Sequence, residues 1–89
     1  MFVLNQDKNC LVNLDNSNTI KVGYSEDTRK HRIAAQIGYL IKPNGMFSPI
    51  FEILGEYEDE SDADEVFQQL TYLLKCKTHY FEMPFDECA

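Results

Sequence analysis

Apolar and polar residues alternate along much of this chain and then give way to a spacing of three and four, the change of period that separates strands from a helix. The alternation is clearest from His31 to Lys42. There Ile33, Ala35, Ile37, Tyr39 and Ile41 fall on one face, with Arg32, Ala34, Gln36, Gly38, Leu40 and Lys42 on the other. Such a pattern predicts a half-buried antiparallel strand. Pro43-Asn44-Gly45 follows, presetting φ at a turn start and tolerating positive φ at its end, so the chain is expected to double back as a hairpin. Ile50 to Tyr57 is the expected return strand, beginning just after Pro49, where a strand tolerates proline. Phe51 and Ile53 share one of its faces, continued by Tyr57, and Gly55 leaves a gap that suits a bulge or a close neighbour.

Shorter strands are expected at Phe2 to Leu4, Cys10 to Leu14 and Thr19 to Tyr24, separated by polar turns at 5–9 and at Asp15-Asn16-Ser17-Asn18. The three-and-four spacing predicts one amphipathic helix over about 61–76. Its stripe is Ala63, Val66, Phe67, Leu70, Leu73 and Leu74, with Ser61 as N-cap, acids in the first turn, and Lys75 and Lys77 near the end. His79 to Met83 is a last candidate strand stopped by Pro84, and residues 84–89 are expected to fray. The expected fold is therefore α+β: an antiparallel sheet of about four to six strands with the helix packed on one face. A chain of 89 residues can enclose only one core, so residues 1–89 are read as a single domain. Tyr39, Phe47, Phe51 and Phe67 are expected in that core. Tyr72, off the helix stripe, groups with Tyr80, Phe81 and Phe85 as a possible interface, and the last strand, if it lies at an edge, offers a route to a homodimer.

Charge divides the chain. Residues 1–50 carry six cations against four acids, a net +2, while residues 51–89 carry two against eleven, a net −9, for −7 in total. That balance disfavours direct nucleic-acid binding, which needs a basic footprint. No run reaches the roughly 18 to 20 apolar residues of a membrane span, and the first residues lack a basic segment followed by an apolar one, so the expected location is cytoplasmic and away from membranes. Cys10, Cys76 and Cys88 are scattered and odd in number, which favours reduced thiols over a disulfide framework or a zinc site.

The segment Ile53-Leu54-Gly55-Glu56-Tyr57, an acidic turn and then Ala63-Asp64-Glu65-Val66 resembles small uncharacterised proteins of Gram-positive bacteria and their prophages. In those, a few strands end in Leu-Gly-Glu-Tyr ahead of a helix of the Ala-x-Glu-Val-Leu type. Phe67 stands here where that pattern has Leu. The resemblance implies a phage or mobile-element accessory protein and brings no activity or site residue with it.

Eight carboxylates lie within residues 52–65. They do not follow a calcium loop, since starting at Asp59 puts Asp64 at the glycine position and Leu70 at that of the bidentate glutamate. As solvated acids they suit a helix N-terminus; as a surface, Glu58, Asp59, Glu60, Asp62 and Glu65 are the candidate contact for a protein partner. Arg29-Lys30-His31-Arg32 is the one basic run, so Arg29, Lys30 and Arg32 form an alternative anion site, without the glycine-rich loop of a nucleotide site. His31 and His79 have no ligands at suitable spacing. The serines lack a nucleophile elbow and Cys10 lacks an arranged base, so no catalytic residue, metal or cofactor is assigned. The expectation is a non-enzymatic acidic interaction protein that binds a protein partner or itself, with an anion-binding module or a structural homodimer as alternatives.

Overall fold

The computed structural model describes residues 1–16 and 19–86. Ser17 and Asn18 of the second turn, and Glu87, Cys88 and Ala89 at the end, lie outside the described residues. The strands are β1 (Phe2–Leu4), β2 (Leu11–Asn13), β3 (Ile20–Ser25), β4 (Lys30–Ile41), β5 (Phe47–Tyr57) and β6 (Tyr80–Glu82), with helix α1 (Glu60–Lys75) between the last two. The fold is α+β, its six strands divided between two three-stranded sheets, in the orders β2-β1-β6 and β3-β4-β5, with α1 packed against them. The β3-β4-β5 sheet is an antiparallel meander, whereas β1 pairs antiparallel with β2 and parallel with β6. A parallel pair needs a long crossover, and here the chain makes one through the larger sheet and α1.

Val3, Val12, Leu14, Ile33, Ala35, Leu54, Tyr57, Ala63, Val66, Leu70 and Met83 form one buried cluster to which both sheets and the helix contribute. Val3, Ile33, Leu54 and Leu70 are fully enclosed. The two sheets are joined by backbone and side chain at Gln6. Its N–H donates to the Leu54 carbonyl at 2.8 Å. Its side-chain amide accepts from the Glu56 N–H at 2.8 Å and donates to the Glu56 carbonyl at 3.1 Å, so it stands in for a peptide group on the edge of β5. A bulge makes this possible. Ile33 pairs with Gly55 and Ala34 with Ile53, which leaves Leu54 unopposed on β5 and turns its side chain into the core. Gly55 makes room next to it, because a Cβ there would lie 3.1 Å from the Tyr57 hydroxyl and 3.3 Å from the Met83 methyl and would make those side chains give by a few tenths of an ångström.

The helix begins one turn-forming acid earlier than Ser61. Asp59 holds the extended N-cap backbone (φ −93°, ψ 133°), and the Ala63 N–H reaches its carbonyl at 3.2 Å, which puts Ser61 inside the first turn. At the other end Lys77 takes positive φ (56°), and the N–H groups of Lys77 and Thr78 close on the carbonyls of Leu74 and Leu73. That is a Schellman ending formed without glycine.

Tyr57 ties the tail to the core. Its hydroxyl donates to the Pro84 carbonyl at 2.7 Å, the same carbonyl that Gln6 Nε2 reaches at 3.2 Å, and the Glu58 N–H donates to the Asp86 carboxylate at 2.9 Å. The described part of the segment expected to fray is thus held through residue 86. Burial first, and the Asp86 carboxylate second, push the Tyr57 phenol from 10.0 up to about 12. A raised folded value means the neutral phenol is favoured in the folded state, so this stabilisation is complete below pH 10 and is lost as pH climbs from 10 towards 12. Urea titrations across that window should show the difference in stability between wild type and Tyr57→Phe shrink and then reverse. The variant starts about 1 kcal/mol lower for the lost hydrogen bond and is spared a loss of about 2–3 kcal/mol at the alkaline end. Parallel curves for the two proteins would show that Tyr57 is not the titrating group.

Candidate interaction surface

Strand length decides where the exposed apolar surface lies. At about 3.3 Å per residue β4 is roughly 40 Å long, while α1 at 1.5 Å per residue spans roughly 24 Å, so the helix cannot cover the sheet from end to end. The distal half of the β4–β5 hairpin runs past it as an arm. On that arm Ile37, Tyr39, Leu40, Ile41, Met46, Phe47 and Ile50 are all exposed, from 39% at Ile50 to 68% at Ile41.

A second bulge fixes which way these side chains point. Gln36 pairs with Phe51 and Gly38 with Ile50, so Ile37 is the extra residue on β4 and the alternation resets there. Beyond it Tyr39 and Ile41 leave the face of Ile33 and Ala35 and join Phe47, Pro49 and Phe51 on the face away from α1. The rings of Tyr39 and Phe47 meet edge to face at 6.2 Å. Tyr39 and Phe47, expected in the core, are therefore surface residues at 56% and 67% exposure, and the unbroken two-residue period from Ile33 to Ile41 does not describe one buried face. Phe67 and Phe51 are half-buried, the first against the core and the second beneath Lys21, whose Nζ lies 4.1 Å from the ring centroid.

Neither edge of the arm has a neighbouring strand among the described residues. On β4, the β3 ladder ends at Ile20–Ala35, with one further bond from the Gln36 N–H to the Thr19 carbonyl. On β5, Gln6 covers only Leu54 to Glu56, and Pro49 interrupts the row of donors on the remaining edge. Proline inside a ladder is compatible only with a nitrogen that faces outward.

The acidic residues gather at the other end of β5. Glu58, Asp59 and Glu60 are exposed at the strand exit, roughly 30 Å of strand from the tip. Asp62 and Glu65 line a cleft of about 260 Å³ with Tyr57, Pro84, Phe85 and Asp86. Of the basic residues, Lys30 and Arg32 share the face away from α1. Arg32 Nε lies 3.2 Å from the Glu56 carboxylate, which also accepts from the Thr28 hydroxyl. Arg29 sits on the preceding turn with positive φ (57°), and the structure brings Arg32 together with Lys21 in one trough of about 390 Å³ that leaves out both Arg29 and Lys30, the latter lining a separate recess with Gln6, Asp7 and Glu56. An anion there would compete with Glu56. Tyr72 is exposed on α1, and Tyr80 and Phe85 near the C-terminus, while Phe81 is half-buried against the core.

Cys10 and Cys76 are free thiols. Burial and then the adjacent Glu52 carboxylate push the Cys10 thiol up, away from the thiolate a nucleophile needs. His31 meets the Tyr24 ring in a tilted contact, with centroids 5.0 Å apart. Among the described residues no three His, Cys, Asp or Glu side chains group as metal ligands, and no helix is long and apolar enough to cross a membrane.

Fold and surface together define a small α+β domain of two sheets and one helix, carrying an apolar β-hairpin arm at one end and a concentration of acids at the other. Compared with protein families, curated proteins and solved structures, the chain matches none.

Proposed function

We propose that this domain is a protein-binding module that acts through the β4–β5 arm and does not transform a substrate. The observation that carries the reading is the exposure of seven large apolar side chains over the two faces of one hairpin, with Tyr39, Ile41 and Phe47 together on the face away from α1, apolar surface of the kind that marks protein contact sites. Aromatic and aliphatic groups dominate it, and between Ile33 and Phe51 the only charge is Lys42. Interface centres share that composition. The acidic end supports a second reading, in which a basic partner meets Glu58, Asp59, Glu60, Asp62 and Glu65, because Asp62 and Glu65 border a cleft beside the exposed ring of Phe85.

One capture experiment separates the two. Wild type, an arm variant (Tyr39→Ser with Phe47→Ser) and an acid variant (Glu58→Gln, Asp59→Asn, Glu60→Gln and Asp62→Asn) are immobilised and exposed to cell lysate and to a differently tagged copy of the chain. The expected result is a stoichiometric partner lost on the arm variant, kept on the acid variant and little affected by moderate salt. Retention by the arm variant, with loss on the acid variant and in salt, would overturn the arm reading in favour of the acidic one.

A further inference from the structure

Resting on the arm as the contact surface, we propose that its partner is a second copy of this chain, joined by antiparallel pairing of the two free β4 edges about a two-fold axis at Leu40. Among the described residues the backbone leaves that edge available. The Lys42 N–H bonds to the Met46 carbonyl across the hairpin at 2.8 Å, and hydrogen-bonding directions alternate along a strand, so the peptide groups of Tyr39 and Ile41 point away from β5. Pairing Tyr39 of one copy with Ile41 of the other satisfies both residues on both chains. Leu40, 58% exposed, then meets its own counterpart on the axis. The β5 edge offers no equivalent because Pro49 lacks a donor.

The side chains nearest the axis are apolar and exposed, Tyr39 at 56%, Leu40 at 58% and Ile41 at 68%. The placement of charge also leaves a like copy admissible although each chain carries a net −7. Two arms meeting tip to root keep the acidic ends of the chains apart. The reversed strands also place Lys42 of each copy opposite Gly38 of the other, where nothing lies within 4 Å of a built Cβ, and lead its side chain toward Glu52 on the same face.

The test is sedimentation velocity and light scattering on the purified chain from nanomolar to high micromolar concentration. Wild type is expected to run as a dimer. Leu40→Glu sets like charges across the axis and should weaken association by about 100-fold or more. Ile41→Pro should do the same by removing an outward N–H that the monomer does not use. In a background without the native cysteines, Leu40→Cys should crosslink to itself on oxidation, because directly opposed residues at a non-hydrogen-bonded position approach to about 4.5 Å between Cα atoms. Combining Lys42→Glu with Glu52→Lys should restore dimer that either single reversal weakens. A wild type that stays monomeric throughout, or a dimer untouched by Leu40→Glu and Ile41→Pro, overturns this pairing. If that monomer still captures another protein through its arm, the protein-binding reading stands while the self-pairing falls.

Discussion

Leu70→Ala is expected to lower the stability of the folded chain by about 2–5 kcal/mol, the range for removing a buried leucine from a packed site. Leu70 is fully enclosed at the point where α1 meets the core shared by both sheets, so the surrounding side chains cannot collapse into the space without moving an element. For a domain of this size that loss corresponds to a drop of about 10–30 °C in melting temperature. The informative comparison is Tyr39→Ser with Phe47→Ser, which removes two aromatic rings and should cost within about 1 kcal/mol. Both variants are to be melted at high dilution, where association through the arm does not contribute. Equal losses in the two proteins would place Tyr39 and Phe47 in the core after all.

Gln6→Ala should cost about 2–4 kcal/mol although it removes no apolar contact of note. The alanine leaves the half-buried Glu56 N–H without its acceptor at 2.8 Å and the Glu56 carbonyl without the Gln6 donor, and it leaves the Pro84 carbonyl with the Tyr57 hydroxyl alone, just where the smaller sheet and the tail attach to β5. Gln6→Glu is no remedy, since a carboxylate can accept from the Glu56 N–H but cannot donate to either carbonyl. Hydrogen exchange gives the clearer readout. Amides of β1 and β6 should exchange faster in both variants, while those of β4 near Ile33 stay protected. Unchanged protection of β1 would show that the sheets are held by the apolar core alone.

The sequence was a good guide where the signal is local. The hairpin at Pro43-Asn44-Gly45, the helix with its Val66 and Leu70 stripe, and the close approach or bulge at Gly55 all follow from turn chemistry and periodicity, which act over a few residues. The arm was legible in part. Strand and helix lengths were both readable and their mismatch implies uncovered strand, yet the alternation from Ile33 to Ile41 reads as a single buried face because a bulge leaves no mark in residue type at Ile37. The acidic residues were visible as a cluster at the exit of the return strand, but not the cleft that Asp62 and Glu65 share with Pro84 and Phe85.

Residue order by itself determined the class of fold, the order of the elements, the separation of basic and acidic halves, and the lack of any motif for nucleotide or metal, since each depends on composition or short-range spacing. Only the tertiary structure decided that the strands split into two sheets, that β1 lies parallel to β6, and that Gln6 bonds Glu56 fifty positions away. It also decided that Tyr39 and Phe47 face outward. The physical reason is common to all of these: pairing partners, bulges and coverage by a helix depend on which distant backbone groups meet, and a peptide N–H or carbonyl carries no record of its partner in the side chain attached beside it.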